Sequence, residues 1–198
     1  MDNNKYKGIY RSESTRLQKW DYGWNAIYFV TICTQDRNHY FGEIVDGKMN
    51  LSPVGVIADI LWYELKNHFN DIKLDAFVVM PNHIHGIIFI NKQNNISDGN
   101  GGCNGRDNAC VVPTVATNET PQTIGQQRFQ HQGSHTLSSI VGSYKSAVSK
   151  HAHRLGYEFS WQSRFYDNIV RDSIALNRIQ NYIQNNPSNW NEDKFYLL

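Results

Sequence analysis

The sequence carries almost no net charge, has few cysteines and contains no long apolar run. Lysine and arginine total 19 against 18 acidic residues, so a nucleic-acid partner would require a local basic patch. Three cysteines are an odd and sparse set, which favours a reducing compartment over a disulfide framework. No apolar stretch approaches the roughly 18 residues of a membrane span, and no export signal is visible. We therefore expect a cytoplasmic protein without membrane contact.

The length of 198 residues suits one compact domain. Between 91 and 136, asparagine, glutamine and glycine replace large apolar residues, so this stretch cannot contribute much to a core. It is predicted to be a flexible insertion within a single domain that covers residues 1–198. The first 24 residues are rich in lysine and arginine, including Arg11 and Arg16, and are predicted to form a basic arm.

Hydrophobic periodicity predicts four core strands and three helices. The predicted order is a strand at 26–34, a hairpin turning at Asp46-Gly47, a helix after Ser52-Pro53, strands at 76–80 and 83–90, a helix at 137–155, a strand at 165–171, and a helix that Asp172 caps. The first helix is expected to bury Ile57, Ile60, Leu61, Leu65 and Phe69, and the second helix Leu155 among others. This order indicates an α+β fold: a ferredoxin-like βαββαβ sandwich with an antiparallel sheet, an extra N-terminal hairpin and a C-terminal helix.

Two histidines stand two residues apart at the start of a predicted strand. Side chains alternate between the faces of a strand, so His83 and His85 point the same way and can chelate one cation. A bare pair of this kind is more often structural than metal-binding. Further residues are needed to decide.

The last predicted helix supplies a tyrosine and an amide on one side. Tyr182 and Asn186 are four residues apart, which sets a phenol one turn from an amide oxygen. Among the eleven tyrosines, only Tyr63, with Asn67, shares this spacing. An ordinary core tyrosine is the commoner interpretation from spacing alone.

Three stretches in this order resemble the single-tyrosine transposases of the His-hydrophobe-His nuclease superfamily, and most of all the REP-associated tyrosine transposases. They are VVMPNHIHGIIFI, WQSRFYDNIVRD and RIQNYIQNNPSNW. The N-terminal segment RLQKWDYGWNAIYFVTICTQDR is also similar to that group. The resemblance thus covers most of the chain outside the predicted insertion.

The resemblance implies a single-stranded DNA endonuclease and strand transferase that cuts through a 5′-phosphotyrosine intermediate. His83 and His85 match the metal-binding histidines, Tyr182 matches the nucleophile, and Asn186 matches the polar residue that completes the metal site. Asn186 stands where insertion-sequence relatives have a glutamine, which is a longer side chain. Mixed nitrogen and oxygen ligands suit Mg²⁺ or Mn²⁺, with Zn²⁺ as an alternative.

The expected partner is single-stranded or hairpin DNA, with no small-molecule cofactor, and the protein is expected to be a monomer or a homodimer. Between 137 and 182, six cationic residues face three acidic ones, a modest local excess. The predicted DNA-binding residues are Lys145, Trp161, Arg164, Arg171 and Arg178, together with Arg11 and Arg16 of the arm. A core role for Trp161 is an equal alternative.

Two other functions remain open from the sequence. One is a domesticated binder that holds hairpin DNA or RNA without cutting it. The other is a metal-dependent phosphodiesterase or oxygenase, in which a carboxylate such as Asp75 joins the two histidines and Tyr182 is only structural. A covalent protein–DNA adduct would distinguish the transposase from both.

Overall fold

The computed structural model describes residues 20–92 and 135–196, together with the backbone of 5–6 and 9–10. Its strands are β1 (Lys5–Tyr6), β2 (Ile9–Tyr10), β3 (Ala26–Cys33), β4 (Gly42–Val45), β5 (Lys48–Leu51), β6 (Ile72–Met80), β7 (His83–Ile90) and β8 (Tyr166–Val170). The helices are α1 (Pro53–His68), α2 (Leu137–Arg154) and α3 (Ser173–Asn185), and short 3₁₀ helices span Gln35–Arg37 and Trp190–Glu192. Arg11, Arg16 and most of the predicted insertion lie outside the described residues.

The central sheet has four strands in the order β6-β7-β3-β8, and every neighbouring pair is antiparallel. Helix α1 connects β3 to β6, and helix α2 precedes β8. This arrangement confirms the predicted ferredoxin-like fold, with β4 and β5 as the extra hairpin and α3 as the C-terminal helix. The hairpin turns at Asp46 and Gly47, whose φ angles of 51° and 71° are the left-handed values that a tight two-residue turn requires.

Local sequence signals begin the helices where they were expected. Ser52 caps α1 by accepting a hydrogen bond from the Gly55 backbone N–H at 3.1 Å. Asp172 caps α3 in the same way through the Ala175 N–H at 2.7 Å. Each cap satisfies a backbone donor that the first helical turn leaves without a partner.

The two faces of the sheet are covered differently. Tyr28, Val30 and Ile32 of β3 face α1 and α2 in the main core. Residues of β3 and β7 at the alternate positions face the other way, towards α3 and a smaller cluster of Cys33, Met80, Trp190 and Phe195. The second face holds the predicted histidines, so α3 and the C-terminal segment form the wall of any site built on them.

The buried side of α1 is largely as predicted, since Leu65 is buried and Ile57, Leu61 and Phe69 pack against the core. Ile60 is the exception: it is 56% exposed, whereas Ala58 and Trp62 are fully buried. Trp62 lies directly over Gly86 of β7, where a Cβ would come within 2.3 Å of the indole ring. Leu155 is also exposed, since α2 ends at Arg154 and Leu155 is its C-cap.

Within the described residues, no helix is both long enough and apolar enough to cross a membrane.

Candidate metal and nucleophile site

His83 and His85 lie side by side on β7, opposite Cys33 and Thr31 of β3. Both rings are buried, and their Nε2 atoms are 3.0 Å apart. The alternation of side chains along β7 therefore brings the two imidazoles together, as the sequence predicted. Their shared face is the one covered by α3.

The tautomer of His83 is determined by its neighbour Asn82. The Asn82 side-chain NH₂ donates to the backbone carbonyl of Phe195 at 2.9 Å, which directs Oδ1 towards Nδ1 of His83 at 2.8 Å. An amide oxygen only accepts, so Nδ1 of His83 carries the proton and Nε2 presents a lone pair. The sequence analysis did not identify this orienting role of Asn82.

Thr31 is the corresponding partner of His85. Its hydroxyl lies 2.8 Å from Nδ1 of His85, and a hydroxyl can donate or accept there. When Thr31 accepts, Nε2 of His85 also presents a lone pair to the space beside His83. Such a second partner holds the ring of a metal-binding histidine in place. The sequence carried no local signal for Thr31, because its contact is across two strands.

Both imidazoles are neutral at physiological pH. Burial lowers the pKa of His83 well below its usual range; repulsion from His85, if that ring were also protonated, and the positive charges of Arg37 and Lys194 lower it further. Burial likewise lowers the pKa of His85 to about 3, with the Asp193 carboxylate opposing the shift. Neutral rings with free lone pairs are what cation binding requires.

Helix α3 brings Tyr182 to the mouth of this pair. Its phenolic oxygen is 3.2 Å from Nε2 of His85, and its side chain is 42% exposed. Burial, followed by the charge of Asp193, raises the pKa of the Tyr182 phenol to about 12. The phenol is therefore protonated at neutral pH, and it lies between the buried histidines and solvent.

Asp193, which the sequence analysis did not identify, joins the site from the C-terminal segment. Its Oδ2 accepts hydrogen bonds from the Tyr182 hydroxyl at 3.1 Å and from the Asn186 amide at 3.0 Å. Possible ligand atoms of His83, His85 and Asp193 all lie within 4.8 Å of one another. Nothing local distinguishes Asp193 from the adjacent Glu192, so only the folded chain could reveal it.

The donor set fits a divalent cation. The two Nε2 atoms are 3.0 Å apart, close enough for both to bind one divalent cation. Oδ1 of Asn186 is buried without a hydrogen-bond partner among the described residues. Such an acceptor is costly unless a ligand satisfies it.

The predicted DNA-binding residues separate into two groups. Arg164, Arg171 and Arg178 are exposed. Trp161, by contrast, packs against Phe41 and Phe159 with its indole N–H donating to the Lys145 carbonyl at 3.0 Å. Trp161 is only partly buried, so part of its indole remains accessible to solvent.

Two alternatives from the sequence are not brought into the site. The Asp75 carboxylate accepts both hydrogen bonds of the Gln180 amide, at 3.0 and 3.1 Å, and lies outside the cluster of His83, His85 and Asp193. Tyr63 projects from α1 on the other face of the sheet, where its ring contacts Phe77.

A chain with this topology belongs to the class of proteins that share the fold of a tyrosine transposase. A solved structure of a REP-associated tyrosine transposase bound to a REP hairpin superposes with a TM-score of 0.53 over 92% of this chain and 77% of that one. The two sequences are 16% identical, so the likeness concerns the fold.

One other protein is similar to this chain in sequence over almost the whole length of both. An uncharacterized protein of Haemophilus influenzae strain Rd is 34% identical over 191 residues, which cover 96% of each chain. This protein belongs to the same family as that Haemophilus chain. No family model matches the sequence.

Proposed function

We propose that the protein is a metal-dependent single-stranded DNA endonuclease and strand transferase, a transposase that uses Tyr182 as its nucleophile. The observation that carries the proposal is the position of the Tyr182 hydroxyl, 3.2 Å from Nε2 of His85 and 3.1 Å from the Asp193 carboxylate. A half-exposed phenol beside two buried, neutral imidazoles is unusual for a structural tyrosine. It suits a nucleophile that must meet a polymeric substrate.

The reaction transfers the 5′ phosphate of the cut strand to the protein, where it forms a new phosphodiester bond with Tyr182. The phenolic oxygen attacks the scissile phosphorus, its proton passes to solvent, and the bond to the 3′ oxygen breaks. The leaving 3′ oxygen takes a proton from solvent, and the 5′ phosphate stays on Tyr182. Attack by another 3′ hydroxyl reverses these steps and joins the strands, because the phosphotyrosine keeps the energy of the diester.

His83, His85 and the oxygens of Asn186 and Asp193 would hold the cation. Bound there, Mg²⁺ or Mn²⁺ would act as a Lewis acid on the scissile phosphate and stabilise charge on the leaving oxygen. Asn82 and Thr31 keep both rings oriented, and the wall formed by Phe195 and Trp190 limits water around His83. The orphaned Asn186 oxygen supports its assignment as a ligand.

The proposed substrate is single-stranded DNA that contains a hairpin. The solved transposase with this fold is bound to a REP hairpin. In this chain, the exposed Arg171 lies two residues before α3, the helix that carries Tyr182, and the exposed Arg178 lies in the middle of that helix. Both are proposed to contact phosphates of the bound strand. The arm with Arg11 and Arg16 is proposed to contact the flanking strand.

The test is a covalent adduct. Labelled single-stranded hairpins taken from around the gene are incubated with the protein, with and without Mn²⁺, and resolved on a denaturing gel. Wild-type protein should give a Mn²⁺-dependent adduct, and Tyr182→Phe, which removes only the phenolic oxygen, should give none. Tyr63→Phe and Tyr166→Phe are matched controls that should still form it. Peptide mapping that placed the DNA on another tyrosine would refute the assignment.

A second candidate is a metal-dependent phosphodiesterase that uses water instead of tyrosine. It is favoured by the same His83, His85 and Asp193 group, because two histidines and a carboxylate are a known metal-binding set. In that case Tyr182→Phe would retain cleavage, and no adduct would form. The gel therefore separates the two candidates directly.

A further inference from the structure

Beside the site lies a pocket, lined in part by Arg37, that the proposed chemistry does not use. It has a volume of about 490 Å³ and is lined by Gln35, Asp36, Arg37, Trp161, Gln162 and Ser163. It opens where β3 ends, because Thr34 pairs with Trp161 and the Gln162 N–H donates to the Cys33 carbonyl at 2.9 Å. The pocket is therefore anchored on the strand that lies next to the two histidines.

Arg37 is held in this pocket in an unusual way. Asp36 and Arg37 both have left-handed backbones, with φ angles of 51° and 57°. Such values are unfavourable for residues that carry a Cβ, and consecutive examples persist only where the surroundings enforce them. Thr34 does so here, since its hydroxyl is within hydrogen-bond distance of the carbonyls of Asn38, at 2.8 Å, and Asn82, at 2.9 Å.

The Arg37 guanidinium lacks an acceptor. Its Nη1 is buried and has no hydrogen-bond partner among the described residues. A buried cationic donor without an acceptor is destabilising. Arg37 also lines the pocket, so an anion bound there would interact with the same guanidinium group. Asp36 is the pocket's one carboxylate and is exposed, with its Oδ2 3.4 Å from the Gln35 amide.

The distance between Arg37 and His83 indicates which kind of anion would bind in the pocket. The guanidinium carbon lies 4.1 Å from the centre of the Phe195 ring, and that ring lies 4.6 Å from the His83 ring. Lys194 lies 4.7 Å from the same Phe195 ring. Arg37 is thus no more than about 9 Å from the imidazole pair. Phosphates recur along one strand of B-form DNA every 3.4 Å of helix axis, and further apart when the strand is extended.

A second cationic side chain, that of Lys145, lies next to the pocket. The Lys145 ammonium donates to the Gln162 carbonyl at 2.6 Å and lies 5.9 Å from the centre of the Trp161 ring. Lys145 thereby holds the loop of Gln162, which forms one wall of the pocket, and adds positive charge next to that wall. Trp161 is only partly buried, so part of its indole can meet a base next to a bound phosphate.

We propose that Arg37 and its pocket bind a phosphate of the DNA strand one or two nucleotides from the scissile phosphate. This assignment rests on the proposed function and makes Arg37 a positioning residue. Arginine suits the role because its planar fork can give two parallel hydrogen bonds to one phosphate. Binding there would keep the strand in register with Tyr182 while the scissile bond is cut.

The test measures binding apart from cutting, so all variants are made in the Tyr182→Phe protein. Hairpin DNA with single-stranded flanks is prepared as a series in which one phosphate at a time is replaced by an uncharged methylphosphonate. One linkage near the cut should weaken binding about tenfold to a hundredfold. With Arg37→Gln, binding should be weakened by a similar factor, and the same linkage should then have no further effect.

Salt dependence gives an independent readout. Each phosphate contact on a single strand contributes about 0.7 to the slope of log affinity against log salt, so Arg37→Gln should reduce that slope by about 0.7. Arg37→Lys keeps the charge without the fork and should show an intermediate loss; it also serves if Arg37→Gln does not fold. Arg154→Gln, at the exposed end of α2, is the matched control and should bind like the parent protein.

The outcomes separate this proposal from the function on which it rests. If the Tyr182→Phe protein binds hairpins and Arg37→Gln leaves both affinity and the methylphosphonate profile unchanged, the phosphate pocket is refuted and the transposase proposal stands. If no hairpin or single strand binds at all, both are refuted. A loss with Arg37→Gln that no single methylphosphonate reproduces would also overturn the pocket, since it would indicate a general charge effect.

Discussion

The metal-free protein should lose stability as the pH falls below neutrality, because two buried histidines resist protonation. Burial lowers the pKa of His83 well below its usual range and that of His85 to about 3. In the unfolded chain both take up a proton near pH 6.5, whereas the folded protein does not. The unfolded state then binds more protons, so stability rises with pH and is lost progressively as the pH falls from about 6.5 towards 3.

The size of this loss can be worked out. Each histidine that is protonated only in the unfolded chain costs about 1.4 kcal/mol per pH unit below 6.5. Between pH 7.5 and 5.5 the two together should lower the free energy of unfolding by up to about 3 kcal/mol. The same shifts predict that Mn²⁺ affinity changes little over this range. Two histidines with an ordinary pKa of about 6.5 would lose roughly a hundredfold in Mn²⁺ affinity at pH 5.5, because protons would compete with the metal.

Urea unfolding in EDTA at pH 7.5, 6.5 and 5.5 measures the first quantity, and calorimetric Mn²⁺ titration at the same values measures the second. The double variant His83→Gln/His85→Gln removes both groups, so over this pH range its stability should fall by up to about 3 kcal/mol less than that of the wild type. His68→Gln removes an exposed histidine of α1 and is the matched control. Equal pH dependence in wild type and double variant would refute the argument that burial keeps these rings neutral.

Three further predictions concern individual parts of the molecule. His83→Ala should abolish cleavage while much of the single-strand binding remains, since binding comes from phosphate contacts and stacking; full cleavage in Mg²⁺, measured on a gel, would remove the metal site from the mechanism. Thr31→Val removes the hydroxyl that orients His85 and should weaken Mn²⁺ binding about tenfold to a hundredfold by calorimetry, whereas Thr31→Ser should retain it. Replacing residues 95–130, which are poor in apolar side chains, with a short Gly/Ser bridge should change the melting temperature little; a large drop would reveal a structured element.

Much of the fold could be predicted from sequence because its signals are local. The spacing of apolar residues along 26–34 and 83–90, the turn residues Asp46 and Gly47, and the caps Ser52 and Asp172 each act within a few residues. Each was found where it was predicted. Strand β6 begins at Ile72, earlier than expected, because the irregularity between Leu74 and Phe77 interrupts its alternation.

The candidate site was partly predictable for the same reason. His83 and His85 share a face because strands alternate, and Tyr182 and Asn186 share a side because helices repeat every 3.6 residues. We expected the face of β7 that carries the two histidines to meet the side of α3 that carries Tyr182, and this expectation came from the resemblance to the tyrosine transposases. Tyr182 and His85 are 97 residues apart in the sequence, so no local pattern encodes the contact between the Tyr182 hydroxyl and His85.

The remaining members of the site were decided by tertiary structure alone. Asp193 reaches the Tyr182 hydroxyl because the C-terminal segment folds back over the imidazoles, where Phe195 packs against His83 and accepts a hydrogen bond from Asn82 through its carbonyl. Thr31 meets His85 through the pairing of β3 with β7. Periodicity determined which side each element buries, but the packing of distant elements determined which polar side chains meet, because side-chain contacts depend on three-dimensional distance.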